Sequence, residues 1–143
     1  MLFKDEQTGI EIQATVMETM NEVVVKGLKS KLGKDGKTRL IKTKGKKMLT
    51  TISAQVGISQ ELGDEVEMVF NAMAKQHPND IYNQLQGKRL VFSKILKKIM
   101  GLDNDNTPDI LYNTKKIRTA VWRIGEVFAG VRDKSTVFID LPS

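Results

Sequence analysis

The residues able to do chemistry are few, and little in their spacing serves catalysis. His77 is the only histidine in a chain with no cysteine. No serine accompanies it in a nucleophile motif, so it fits the C-terminal end of a helix better than an acid–base role. One histidine without cysteines also makes a zinc site a poor reading. Asp103, Asp105 and Asp109 have the spacing D-x-D-N-T-P-D. That lacks the sixth-position glycine and twelfth-position glutamate of a helix-flanked calcium loop. Asp109 suits the first turn of a helix opened by Pro108, and nothing makes these three converge with Glu126. Neither G-x-x-x-x-G-K-[ST] nor G-x-G-x-x-G occurs, and Tyr82 and Tyr112 sit in no motif. The expectation is a non-enzyme with no metal and no cofactor.

The basic residues are spaced more tellingly. Lys34, Lys37, Arg39, Lys42, Lys44, Lys46 and Lys47 fall within fourteen residues that hold one acid, Asp35. Like charges so crowded repel one another, and phosphate contacts relieve the repulsion while releasing counterions. Lysine outnumbers arginine six to one in this set. That composition suits backbone attraction more than bidentate reading of guanine. Lys94, Lys97 and Lys98, opposite an expected Phe92/Ile95/Ile99 stripe, extend the footprint, as do Lys115 and Arg118 on the last helix. Trp122 lies beside the apolar stripe of that helix and reads as a core or interface residue before a base-stacking one. The leading expectation is therefore a nucleic-acid-binding protein, for DNA or RNA, of low sequence specificity. The alternative is an assembly subunit that meets a protein partner or its own copy, most simply as a dimer, through an acidic helix 61–67 and a C-terminal strand.

Charge is blocked along the chain. Residues 1–25 hold one lysine against five acids, residues 26–47 ten Lys/Arg against one acid, and residues 48–87 one lysine against five acids. Such separation steers an anionic partner to one region. At 143 residues and 40% hydrophobic the chain has the size and content of one folded domain. No apolar run is long enough for a membrane span. No signal-peptide pattern opens the sequence, and the cysteine-free composition fits a cytoplasmic setting.

The elements that must position these residues read as mainly helical. Thr8 to Glu11 matches a capping box. From there Ile12, Val16, Met20, Val23 or Val24, and Leu28 recur on one helical stripe, with Leu32 continuing it. The run Val23-Val24-Val25 argues for a strand over 22–28, but the longer periodicity favours the helix. Asp35-Gly36 and Lys44-Gly45 are turn signals, so residues 33–47 read as a basic β-ribbon or loop. A helical bundle then spans 49–131, with a short corner at Gly57 to Ser59, a third helix capped by Asn79 or Asp80 and bent or divided at Gly87, and a last helix carrying Ile117, Val121, Ile124 and Phe128. Residues 135–141 read as a strand in need of an edge partner, which Leu2-Phe3 or a second subunit would supply. The fold expected is mainly α, one helical domain over 1–143 with four to five helices.

Overall fold

A four-stranded antiparallel sheet covered by two helices forms instead. The computed structural model describes residues 1–62, 64–77, 83–104 and 114–142, with every side chain among them except those of 61, 62, 64–66, 102–104 and 114. Strands β1 (Leu2–Asp5), β2 (Ile10–Leu32), β3 (Thr38–Leu62) and β4 (Asp64–Lys75) lie side by side in sequence order. Helices α1 (Gln84–Asn104) and α2 (Thr114–Phe128) follow, then a 3₁₀ turn at Lys134–Thr136. The architecture is mixed α/β, which corrects the all-helical expectation.

The correction has a simple cause. Ile12, Val16, Met20, Val24, Leu28 and Leu32 stand four residues apart, and a step of four also keeps one face of a strand. Ile10 and Ala14, between helical positions of that stripe, are as buried as Ile12, as alternation by two requires. The supposed capping box is a hairpin turn. Thr8 Oγ1 donates to Asp5 Oδ2 at 2.7 Å, the Gly9 amide donates to the Asp5 carbonyl at 3.0 Å, and Gly9 takes a φ of 70°. In β3 the buried residues Ile52, Ala54, Val56 and Ile58 alternate without a break, so no helical corner exists at Gly57. The expected acidic helix 61–67 falls on the end of β3 and the start of β4.

Alternation places the core on one face of the sheet. Phe3, Ile10, Ile12, Ala14, Ile52, Ala54, Val56, Ile58, Phe70 and Ala74 meet Val91, Phe92, Ile95 and Ile99 of α1 and Ile117, Ala120, Val121 and Ile124 of α2. Both helices match their sequence stripes. Asn83 caps α1, its Oδ1 accepting from the Gln86 amide at 3.2 Å; the expected caps at 79 and 80 lie outside the described residues, as does the helix expected to open at Pro108. Gly87 does not divide α1, which runs through it. It permits close approach, since a Cβ there would stand 2.5 Å from Ile52 Cδ1. Gly125 does the same between the helices, where a Cβ would meet Phe92 Cγ at 2.8 Å and Cβ at 2.9 Å. The Phe92 and Phe128 rings stack at 5.7 Å beside this contact.

The C-terminal segment is no strand. Asp133 opens the 3₁₀ turn, its carboxylate accepting from the Ser135 amide at 2.9 Å and hydroxyl at 2.8 Å. Those bonds, the amide foremost, hold its carboxyl below the usual range. Val137 is buried, and Arg123 Nη1 donates to the carbonyls of Thr136, Val137 and Ile139. The backbone polarity that was to demand an edge partner is met by α2 of the same chain, which removes the basis for expecting a dimer through this segment.

Gly125→Ala should destabilise the fold by roughly 1–3 kcal/mol, despite the better helix propensity of alanine, because Phe92 Cβ is backbone-anchored and cannot swing away. Urea unfolding checks this, and a stability equal to or above the parent would refute the close-packed contact.

Candidate nucleic-acid interface

β2 pairs with β3 along its whole length, from Ile10 with Gln60 to Leu32 with Thr38. Their neighbours are shorter. β1 reaches only from Ile10 to Gln13 on β2, and β4 only from Thr51 to Leu62 on β3. Residues 20–32 and 38–50 therefore leave the sheet as a two-stranded arm. Thirteen residues a side at the usual strand rise make it about 40 Å long.

Its root is held by the body. Glu18 accepts from Gln84 Nε2 and lies 3.9 Å from Lys88 Nζ. The Thr50 amide donates to Gln76 Oε1 at 3.1 Å, and the Gln76 amide donates back to the Thr50 carbonyl at 3.0 Å. At the tip Gly33 to Lys37 close the hairpin. The Gly33 amide donates to the Lys37 carbonyl at 2.8 Å, Gly36 takes a φ of 75°, and Asp35 receives the Lys37 amide and the Arg39 guanidinium. Asp35-Gly36 is thus the turn that its residues announce, whereas Lys44-Gly45 lies inside β3.

Register sorts the arm's side chains into two faces. On the face continuous with the helix-covered side lie Lys26, Lys42, Lys44 and Lys46, together with Val24, Leu28, Leu32, Leu40 and Met48. On the other lie Lys29, Lys31, Arg39 and Lys47, with Gly27 and Gly45 bare between Val25 and Thr43. Lys34 and Lys37 project from the tip, and all seven basic residues expected between 34 and 47 are exposed. Lys26 and Lys44 stand directly opposite each other, a like-charge pair that costs up to about 1 kcal/mol. Lys46 is offset by Glu22 at 3.6 Å and Arg39 by Asp35 at 3.0 Å, both pairs well exposed and worth little. Gly27 leaves room for Thr43 directly across the ladder, a Cβ there meeting Thr43 Oγ1 at 3.2 Å. A concavity of about 550 Å³ opens at this point, walled by Lys26, Leu28, Lys42 and Lys44.

The remaining expected residues do not join the arm. Lys94 Nζ donates to the Met73 carbonyl at 2.7 Å, and Lys98 Nζ to the Asn71 carbonyl. Both reach from α1 to the outer edge of β4, where they guard edge carbonyls against strand addition. Lys97 is exposed on α1. Lys115 and Arg118 sit at the start of α2, and the far end of that helix, Phe128, is the one whose carbonyl accepts from Lys88 near the arm root. They therefore belong to the end of the body away from the arm. Trp122 is 42% exposed on the outer side of α2 and so is not a core residue. Sequence reading omitted Lys26, Lys29 and Lys31, since residues 8–32 read as a helix. Their approach to the 34–47 run was visible only once β2 and β3 were paired.

Other chemistry is sparse. His77 is exposed just beyond β4, and Glu126 pairs with Arg132 at 3.4 Å. Among the described residues no three His, Cys, Asp or Glu side chains gather in reach of one metal ion. The side chain of Asp103 and all of Asp105 and Asp109 lie outside them. A groove of about 460 Å³ on the helix-free side of the sheet is lined chiefly by uncharged residues such as Thr15, Ser53, Gln55 and Asn71. Among the described residues no helix is long and apolar enough to cross a membrane. No protein-family model, no curated protein and no solved structure matches this chain.

Residues 23–47 of the arm contain none of the buried apolar side chains; Leu49, at the root, is buried. Replacing residues 23–47 by Asn-Gly, which closes the Glu22–Met48 pair with a two-residue turn, should change unfolding free energy by less than about 1 kcal/mol. Chemical denaturation checks this, and collapse of the body would show the arm to be structural.

Proposed function

We propose that this chain is a nucleic-acid-binding protein that acts by binding, and that its β2–β3 arm is the contact surface. The observation that carries the reading is the arm itself: a ribbon of about 40 Å, outside the hydrophobic core, on which ten Lys/Arg over residues 26–47 face one acid. A lone two-stranded ribbon is at best marginally stable in water, and this one adds an unrelieved lysine pair across its strands. A polyanion offsets both costs, replacing repulsion with phosphate contacts and releasing counterions.

The rest of the sheet supports the same orientation. Asp5, Glu6, Glu11 and Glu67 lie at the end opposite the arm, where the β1–β2 turn meets the start of β4 through Ile10, Gln60 and Val66. The sheet itself is thus acidic at that end and basic along the arm. Lys115 and Arg118 of α2 lie toward the acidic end and offset part of its charge, so the arm's own charge is what draws an approaching polyanion. Lysine on a flexible stem positions a protein on phosphates without reading bases, so specificity is low. The assembly alternative lacks both elements it was to use, since the 61–67 segment is not helical and the C-terminal segment is not a strand.

Reversal of Lys42, Lys44, Lys46 and Lys47 to glutamate should abolish binding and leave the melting transition in place, since none of the four contributes to the core. Six engaged phosphates would give the parent a slope of log affinity against log salt of about −5 on duplex DNA. Fluorescence titration at several salt concentrations measures it. Binding undetectable at low salt, or indifferent to the four reversals, refutes the arm as the contact surface.

A further inference from the structure

We infer that the arm takes double-stranded DNA in a groove and deforms it, with Leu28, Leu32 and Leu40 pressed against the base pairs. This rests on the arm reading above and specifies its ligand. The three leucines are 66%, 69% and 71% exposed, and register puts all three on one face of the distal ribbon, Leu28 across from Lys42, Ser30 across from Leu40, and Leu32 across from Thr38. The opposite face of the same stretch holds Lys29, Lys31 and Arg39. Distally, then, one side carries three leucines with Lys42 among them and the other carries three cations with Ile41 among them, so the first is chiefly apolar and the second chiefly cationic.

Surface phosphate attraction alone has no use for that apolar side. Three large side chains held in water by a ribbon with no core of its own are a standing cost, and only a ligand that offers both charge and an apolar contact removes it. Duplex DNA offers both. Its phosphates line the groove walls, where long lysine and arginine stems reach past the ribbon edges. Its base pairs form the floor, and apolar side chains pressed against or between base steps unstack and bend the duplex. In B-form DNA such wedging works from the minor groove, whereas the wide, shallow minor groove of A-form RNA presents 2′-hydroxyls to an entering ribbon. Single strands would call for exposed aromatic platforms, and the arm has no aromatic residue between 20 and 50. The concavity at Lys26, Leu28, Lys42 and Lys44 is the place where a groove wall and its phosphates would seat.

The test uses the full chain and the triple variant Leu28→Gln, Leu32→Gln, Leu40→Gln, with unfolding curves to establish that both fold alike. The probes are a duplex DNA of about 30 base pairs carrying a dye at each end, the matching RNA duplex, one of its single strands, and vesicles of phosphatidylserine and phosphatidylcholine. The expected result is preferential binding of duplex DNA with a rise in end-to-end energy transfer. The variant should lose that rise and keep the parent's salt slope, because its lysines are intact. Energy transfer that does not change on binding, or changes equally with the variant, overturns the inference. Single strand or RNA duplex bound as tightly as DNA does so too, and in each of these cases phosphate binding by the arm still stands. Leucine-dependent vesicle binding without duplex binding assigns the face to a lipid surface and overturns both readings. Absence of any salt-sensitive nucleic-acid binding fails the arm reading itself.

Discussion

The pairing of β2 with β3 is the interaction on which everything else in this protein depends. Every residue of β2 from Ile10 to Leu32 has a partner on β3, and one unbroken register carries the same two faces from the core to the arm tip. Because side chains alternate, that register decides at once which residues of the first half are buried by the helices and which face of the arm each lysine occupies. A slip by one residue would turn Ile52, Val56 and Ile58 to solvent and scramble the arm's amphipathic end. The hydrophobic body defines the register; the arm inherits it.

Two halves of one hairpin thus live under different physics. In the body, aliphatic residues on β2 and β3 lose water to α1 and α2, and close contacts at Gly87 and Gly125 let the layers meet. In the arm, the same alternation continues, and nothing among the described residues covers Val24, Leu28, Leu40 and Met48, which remain in water with lysines between them. Sheet edges show the same division. The outer edge of β4 is guarded by Lys94 and Lys98, while the arm's edges carry a density of lysine that discourages pairing with another strand. Charge that protects the free ribbon from self-association is the same charge that draws a polyanion.

Lys94 and Lys98 show how composition alone misleads about function. Charge alone groups both with the arm, yet each donates its ammonium to a strand carbonyl, whereas Lys26, Lys29 and Lys31, which a helical reading keeps apart, lie on the arm. Trp122 behaves in the opposite sense to its type, staying half in water on the outer side of α2 while the smaller Ile117, Val121 and Ile124 fill the core.

What the sequence determined by itself was whatever only one geometry could satisfy. Phe92, Ile95 and Ile99 in α1, and Ile117, Val121 and Ile124 in α2, are separated by three and four residues. Steps of three reverse faces on a strand, so only a helix gathers them. Asp35-Gly36 determined the hairpin tip, since a positive φ is needed there and glycine supplies it. The basic block over 26–47 was equally plain, being a matter of count. Tertiary structure decided the rest, wherever local spacing allowed two answers. Ile12, Val16, Met20 and the residues that follow, four apart, fit a helix and a strand alike. The choice fell to the strand because β3, with Ile52, Ala54, Val56 and Ile58 at matching register, could pair with it and be roofed by two helices. The same step made the candidate site, since Lys26 and Lys44 become neighbours only across a ladder that no local pattern contains.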